Sequence, residues 1–261
     1  MRNAILCALL IAPAAARADH ARPRPGVRAW LDVEGSWLNR MDAGAERTWT
    51  IGFEDAKTGP IKDFVPIHDK LLHLILVSED LSRFAHVHPV FDPETGRFTL
   101  TVNGTAGPDD RPPAELLEPG TWLAFAEAQS AAKGPLGGRF SARVRGKARR
   151  APLVADAPAA SGWIEKSYGV ERAAVRVEPA KGMLHLAFKL DDAKGLEPWL
   201  GMEGHGILVS EGGERFYHLH AMSGDLTFMV HDEAPAPGLY KLWIQLKRRG
   251  EVLTFPFTVR L

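Results

Sequence analysis

The chain repeats itself. Residues 73–88 read HLILVSEDLSRFAHVH and residues 205–220 read HGILVSEGGERFYHLH. At a constant offset of 132, without a gap, 10 of the 16 positions are identical. Flanking runs keep the same order. Asp55-Ala56-Lys57 answers Asp192-Ala193-Lys194, Pro119-Gly120-Thr121-Trp122 answers Pro237-Gly238-Leu239-Tyr240, and Val144-Arg145 answers Val259-Arg260. A period this long is outside the range of solenoid repeats and describes a duplicated domain. Each half has about the size of an immunoglobulin-like sandwich.

The local pattern agrees. Residues 49–53, 98–102 and 184–190 alternate apolar and polar side chains, the signature of half-buried strands. Gly (25) and Pro (19) punctuate the chain at short intervals, which suits turns between strands. No segment carries helical periodicity beyond a turn or two. The expected fold is all-β, with two tandem immunoglobulin-like β-sandwich domains. Tyr240, entering a late strand after Pro237-Gly238, fits the corner typical of that fold. The expected boundaries are a first domain over 19–146, an Ala/Pro/Arg-rich linker over 147–161 and a second domain over 162–261.

Residues 1–18 read as a cleaved signal peptide: a basic start, an apolar stretch from Ala4 to Ala16 and a small-x-small site at Ala16-Arg17-Ala18. This predicts a periplasmic or secreted protein. Lys+Arg and Asp+Glu both number 32. Losing Arg2 and Arg17 with the leader makes the remainder slightly acidic, so nucleic acid and anionic membranes are not expected partners. No apolar run is long enough to span a bilayer. The single cysteine, Cys7, lies in the leader. The mature chain then has neither disulfides nor thiolate ligands, and any metal must be held by His, Met or carboxylates.

The duplicated segment supplies such ligands. If residues 79–82 form a four-residue hairpin loop, Ser78 lies opposite Arg83, Ile75 opposite His86 and His73 opposite His88. One face then carries His73, Ile75, Val77, Phe84, His86 and His88. Opposed Cβ atoms are about 4.5–5.5 Å apart, so the three imidazoles can converge. The same arithmetic groups His205, His218 and His220. Three imidazoles suit Zn²⁺ or copper. Met202 and Met222 flank the second trio, where the first half has Lys70 and Val90. Thioethers favour Cu(I), so copper is the expected ion, with zinc the second choice. Glu203 reads either as a carboxylate ligand or as a turn residue. His68 lies near the first trio, but its counterpart is Leu200, which argues against a ligand role. His185 is expected in solvent, His231 in a loop and His20 at a frayed terminus.

The run Leu200-Gly201-Met202-Glu203-Gly204-His205 followed by His218-Leu219-His220 resembles a secreted β-sandwich module of bacterial envelope proteins. Its pattern is Leu-Gly-x-x-Gly-His, a short hairpin, then His-x-His-Pro. The first half has the ending His86-Val87-His88-Pro89 without the lead, and the second has the lead with Ala221 in place of Pro. The resemblance covers most of both halves. It implies the fold and the compartment, and it points to envelope metal handling, especially of copper.

The expected function is therefore that of a periplasmic copper carrier or buffer, holding the ion through exposed ligands at an open sandwich end. Its partner would be another envelope metal-handling protein. The alternative is a non-catalytic protein-interaction module with structural histidines, presenting Trp30, Trp37, Trp163 and Trp199. A bicupin-like metalloenzyme fits less well. Glu94 stands too far from its His-x-His pair, the second half offers Asp225 in place of a Glu, and no His follows Pro119-Gly120 or Pro237-Gly238. Spacing leaves open whether the trios act separately or converge between the halves.

Overall fold

The computed structural model describes residues 23–36, 38–103, 117–180, 183–221, 226–230 and 235–261. Residues 1–18, expected to be a leader, and Trp37 lie outside these, as do His20, Met222, Asp225 and His231. Among the described residues there is no α-helix, and therefore no helix long and apolar enough to cross a membrane.

Eleven strands build the first half. They are β1 (Val27–Val33), β2 (Arg40–Asp42), β3 (Arg47–Asp55), β4 (Gly59–Pro60), β5 (Phe64–Val65), β6 (Leu72–Ser78), β7 (Phe84–Val87), β8 (Val90–Asp92), β9 (Arg97–Val102), β10 (Gly120–Ser130) and β11 (Gly134–Arg145). One sheet runs β1-β3-β9-β8 and the other β2-β11-β10-β6-β7. Trp49, Ile51, Phe53, Phe98 and Leu100 from the first sheet bury against Leu72, Leu74, Leu76, Trp122 and Ala124 from the second. This is a β-sandwich filled by the inward residue of each alternating pair.

The second half contains β12 (Ile164–Tyr168), β13 (Glu171–Ala180), β14 (Met183–Leu190), β15 (Leu196–Glu197), β16 (Gly204–Ser210), β17 (Phe216–Ala221), β18 (Thr227–Val230), β19 (Leu239–Arg248) and β20 (Glu251–Arg260). Its ladder is joined between β17 and β18 by the single pair Ala221↔Phe228. The strands on either side of that pair therefore fold over as two layers. Val175, Leu186 and Phe188 from one layer share a core with Leu208, Leu219, Leu242, Ile244 and Phe257 from the other.

The corner at the start of β19 has an equivalent in the first half. Tyr240 Oη donates to the Ala236 carbonyl at 2.9 Å, four residues upstream. Trp122 Nε1 donates to the Glu118 carbonyl at 3.0 Å in the equivalent place on β10. Both bonds tie an aromatic ring back to the chain that enters its strand, as in a tyrosine corner.

Strands β6 and β16 show why the halves associate. Six consecutive residues of each are buried, on both faces. Leu72, Leu74 and Leu76 point into their own sandwich. The opposite face, with Ile75 and Val77, packs against Ile207, Val209, Phe216 and Trp243 of the second half, joined by Leu81 and Phe125. Phe125 stacks on Phe216 (centroids 4.5 Å, interplanar angle 7°), and Phe84 on Trp243 (4.8 Å, 15°). Each stack pairs a hairpin residue of one half with a β10 or β19 residue of the other. The two halves therefore meet face to face in a pseudo-twofold arrangement. The segment between them is tied to both, through Arg150–Glu79 (2.7 Å) and through the Asp156 N–H to the Thr258 carbonyl (2.8 Å).

Candidate metal centre

The hairpins have the register that the four-residue loop predicts. Ile75 pairs with His86 and Val77 with Phe84, while His205 pairs with His220 and Ile207 with His218. Ser78 N donates to the Arg83 carbonyl, and Ser210 N to that of Arg215, closing both loops. The pleat then sends all three imidazoles of each half to one face. His73, His86 and His88 form one group that could hold a metal ion, and His205, His218 and His220 form another. In each, one ligand atom per residue lies within 4.8 Å of the others.

The location corrects one expectation. The trios occupy no open sandwich end, and their ligands are not exposed. The face that carries them is the interface between the halves. His73 is 1% exposed, His205 0% and His218 2%. The physical reason is the rest of that face. Ile75, Val77 and Phe84 are too apolar to stay in water, and burying them buries the histidines beside them.

A tight turn orients the first ring of each trio. Ile67 bridges Lys70, and Trp199 bridges Met202. Between them lie left-handed pairs, His68 and Asp69 (φ 46° and 65°) and Leu200 and Gly201 (φ 52° and 71°). The turns aim two carbonyls inward. His73 Nε2 donates to the Ile67 carbonyl at 2.9 Å, and His205 Nε2 to the Trp199 carbonyl at 3.0 Å. A carbonyl only accepts, so both rings carry their proton on Nε2 and turn an unprotonated Nδ1 into the site.

The middle ring of each trio is held from the other half. His218 Nδ1 donates to the Glu127 carboxylate at 2.7 Å. His86 Nδ1 donates to the Gln245 side-chain oxygen at 3.0 Å, while the Gln245 amide nitrogen donates to Thr254 Oγ1 at 3.2 Å. In the neutral rings both Nε2 atoms are then unprotonated. His73 Nδ1 faces His86 Nε2 at 3.0 Å, and His205 Nδ1 faces His218 Nε2 at 3.3 Å. His88 Nε2 lies 3.2 Å from His73 Nδ1. Between His73 and His86, and between His205 and His218, two lone pairs then face each other with no proton between them, and they repel. A cation between them removes the repulsion. Donors 2.0–2.1 Å from a tetrahedral ion stand about 3.3 Å apart, close to the spacings seen here. His220 Nε2 is buried and has no hydrogen-bond partner among the described residues.

Burial keeps the rings neutral. Desolvation and neighbouring imidazoles push His73, His86, His218 and His220 well below the usual histidine range. Desolvation lowers His205 to about 3, although its bond to the Trp199 carbonyl opposes the shift. Metal binding requires neutral imidazole, so no proton has to leave these rings near neutral pH.

Glu127 and Gln245 were not among the residues the sequence suggested. They are equivalent, each eight residues beyond the Pro of its Pro-Gly corner, and each pairs in register with the first histidine of its own half. That common distance was the available signal. His68, whose counterpart Leu200 argued against a ligand role, joins neither histidine group. Its ring centroid lies 3.9 Å from that of His220 in the other half. Met202 is half-buried in the turn ahead of His205. Glu203 joins neither histidine group, and neither does Glu94, which is exposed in the turn between β8 and β9. His185, expected in solvent, is half-buried on β14 opposite Glu178. Of the four tryptophans considered as exposed surface, Trp199 packs beside His205 (4.8 Å) and His86 (5.4 Å). Trp163 lies under Arg176 and Lys189, and Trp30 under Arg97.

Fold and site together define a tandem β-sandwich protein with two buried histidine groups able to hold metal. The chain belongs to the family described as a domain of unknown function (DUF8832), whose model matches residues 30–136 and 169–261. No curated protein matches the sequence. Among solved structures, the tetra-tandem repeat in the extending region of a large adhesion protein is similar at 9% identity. The match covers 89% of this chain and 48% of that one, with a TM-score of 0.28. A structure from a 1.5-MDa bacterial ice-binding adhesin gives 12%, 90%, 63% and 0.26 for the same quantities. The sporulation control protein Spo0M from Bacillus subtilis gives 10%, 64%, 80% and 0.26. The chain thus spans about half the length of the adhesion-protein structure.

Proposed function

We propose that this is a copper-binding protein of the bacterial envelope, one that holds or buffers copper through the two histidine trios. The observation that carries the reading is the set of unprotonated, buried ring nitrogens facing one another in each half. Neutral nitrogen donors without thiolate suit Cu(II) and Zn²⁺, and Met202, three residues ahead of His205 in the sequence, favours copper. Burial favours retention over rapid handover, so a buffer or resident centre fits better than an open carrier. The leader-like residues 1–18 support an envelope location. A further metal-handling protein of the envelope would load or unload it.

The test is the metal content of the tag-free protein purified from periplasm, run beside a His218→Ala/His220→Ala double variant. Copper in wild type at one or more ions per chain, reduced in the variant, supports the proposal. Zinc instead of copper would revise the ion. Absence of metal, with none taken up on titration with Cu(I), Cu(II) or Zn²⁺, would overturn it. The interaction-module reading would then lead.

A further inference from the structure

The two trios are not separate in space. Within a trio, ring centroids lie 4.5–5.5 Å apart. Across the interface, His218 lies 5.1 Å from both His73 and His86, and His86 lies 5.6 Å from His205. The six rings are one cluster, and neither half assembles it alone. Each half also supplies the residue that orients the other's middle histidine.

From this we infer that the trios form one binuclear centre, with two metal ions held side by side across the interface. The inference rests on the metal-binding reading above and goes beyond it in stoichiometry and coupling. Three imidazoles leave an ion with an open coordination position. Because rings of the two trios lie as close to each other as to their own partners, two ions held by them would sit near enough to share a water or hydroxide ligand. Two adjacent cations repel, and a buried site needs counter-charge. Glu127 is the only buried carboxylate among the described residues, and it bonds to His218. Its equivalent is the neutral Gln245. The two positions are therefore unequal: the His205/His218/His220 ion is held more tightly and loads first.

The experiment is Cu(II) titration of the metal-free full chain, with metal analysis after desalting and electron paramagnetic resonance at one and two equivalents. The expected result has two parts. One equivalent gives a full, sharp single-ion signal. The second binds too, but the signal broadens or integrates to well under two spins, because the ions couple. Filling the second position with Zn²⁺ restores the sharp signal. A His86→Ala/His88→Ala variant, checked for fold by circular dichroism, should keep one uncoupled copper, and the wild-type coupling remains decisive if that variant does not fold. Two coppers with two full, unbroadened spins would overturn the binuclear centre and leave metal binding intact. A maximum of one copper per chain would overturn it too, in favour of a single shared ion. No copper or zinc bound would remove both readings.

Discussion

The Glu127 carboxylate accepts a 2.7 Å hydrogen bond from His218 Nδ1, and the two residues come from different halves of a duplicated chain. The bond fixes the tautomer of a candidate ligand and joins the halves at the same point. An outer carboxylate of this kind raises the basicity of a ligating imidazole. Glu127→Ala leaves that imidazole without its partner, and metal affinity at the second trio is expected to fall about 10–100-fold. Glu127→Gln keeps the hydrogen bond without the charge and should fall between. Competition against a chromophoric chelator reads both values. Equal affinities in all three proteins would show that the bond does not tune the site.

Acid should weaken the metal-free protein. The sign follows from the direction of the shifts. His73, His86, His205, His218 and His220 all have folded pKa values below the unfolded 6.5. The unfolded chain therefore binds more protons once the pH falls below 6.5, and stability drops as pH drops. Each of these rings adds to the loss as the pH falls through the unfolded histidine range. Denaturant titrations of the metal-free protein at pH 7.5 and 5.5 should give a clearly lower midpoint at 5.5, and added metal, which the neutral rings take up without releasing a proton, should raise the midpoint at both pH values. An unchanged midpoint would mean that the rings are not buried as described.

The apolar end of the interface should control the histidine end. Phe216 stacks on Phe125 across the halves, and neither is a candidate ligand. Phe216→Ala removes a buried ring, at a cost of about 3–5 kcal/mol. Part of that loss is interface, so metal affinity should fall although all six histidines remain. Thermal unfolding with and without metal, together with the chelator titration, measures the two effects. A destabilised variant with wild-type affinity would show that each half holds its ion unaided.

The hairpin register was legible because it depends only on local quantities: a four-residue loop and the two-residue pleat. That was enough to bring His73, His86 and His88 to one face, and to do the same for His205, His218 and His220. The burial of that face could have been read from Ile75, Val77 and Phe84 beside the imidazoles, although the ligands were expected to be exposed. The partner covering it could not, because how two sandwiches dock depends on the shape of both. Glu127 shows the same limit. Its equivalence to Gln245 is visible in the sequence, but its bond to His218 joins residues 91 apart through rigid placement of the halves. Duplication pairs His68 with Leu200, so its place beside His220 of the other half could not be seen from the repeat.

The difference between Glu127 and Gln245 can be reversed or erased, and erasing it gives the sharpest prediction. Gln245→Glu places a second carboxylate next to His86 Nδ1, which the Gln245 oxygen now contacts at 3.0 Å. Without metal, that charge is buried beside a neutral ring and takes the place of a hydrogen-bonded amide. The metal-free variant should therefore be destabilised, by a few kcal/mol on the scale of an uncompensated buried charge. With metal, the carboxylate offsets the charge of the first-half ion and strengthens its ligand, as Glu127 does for His218. The stabilisation conferred by metal should accordingly exceed that of wild type, and affinity at the His73/His86/His88 position should rise toward that of its counterpart. Calorimetric melts with and without copper, combined with chelator competition, measure both halves of the claim. A variant destabilised equally with and without metal would show that no ion sits near His86.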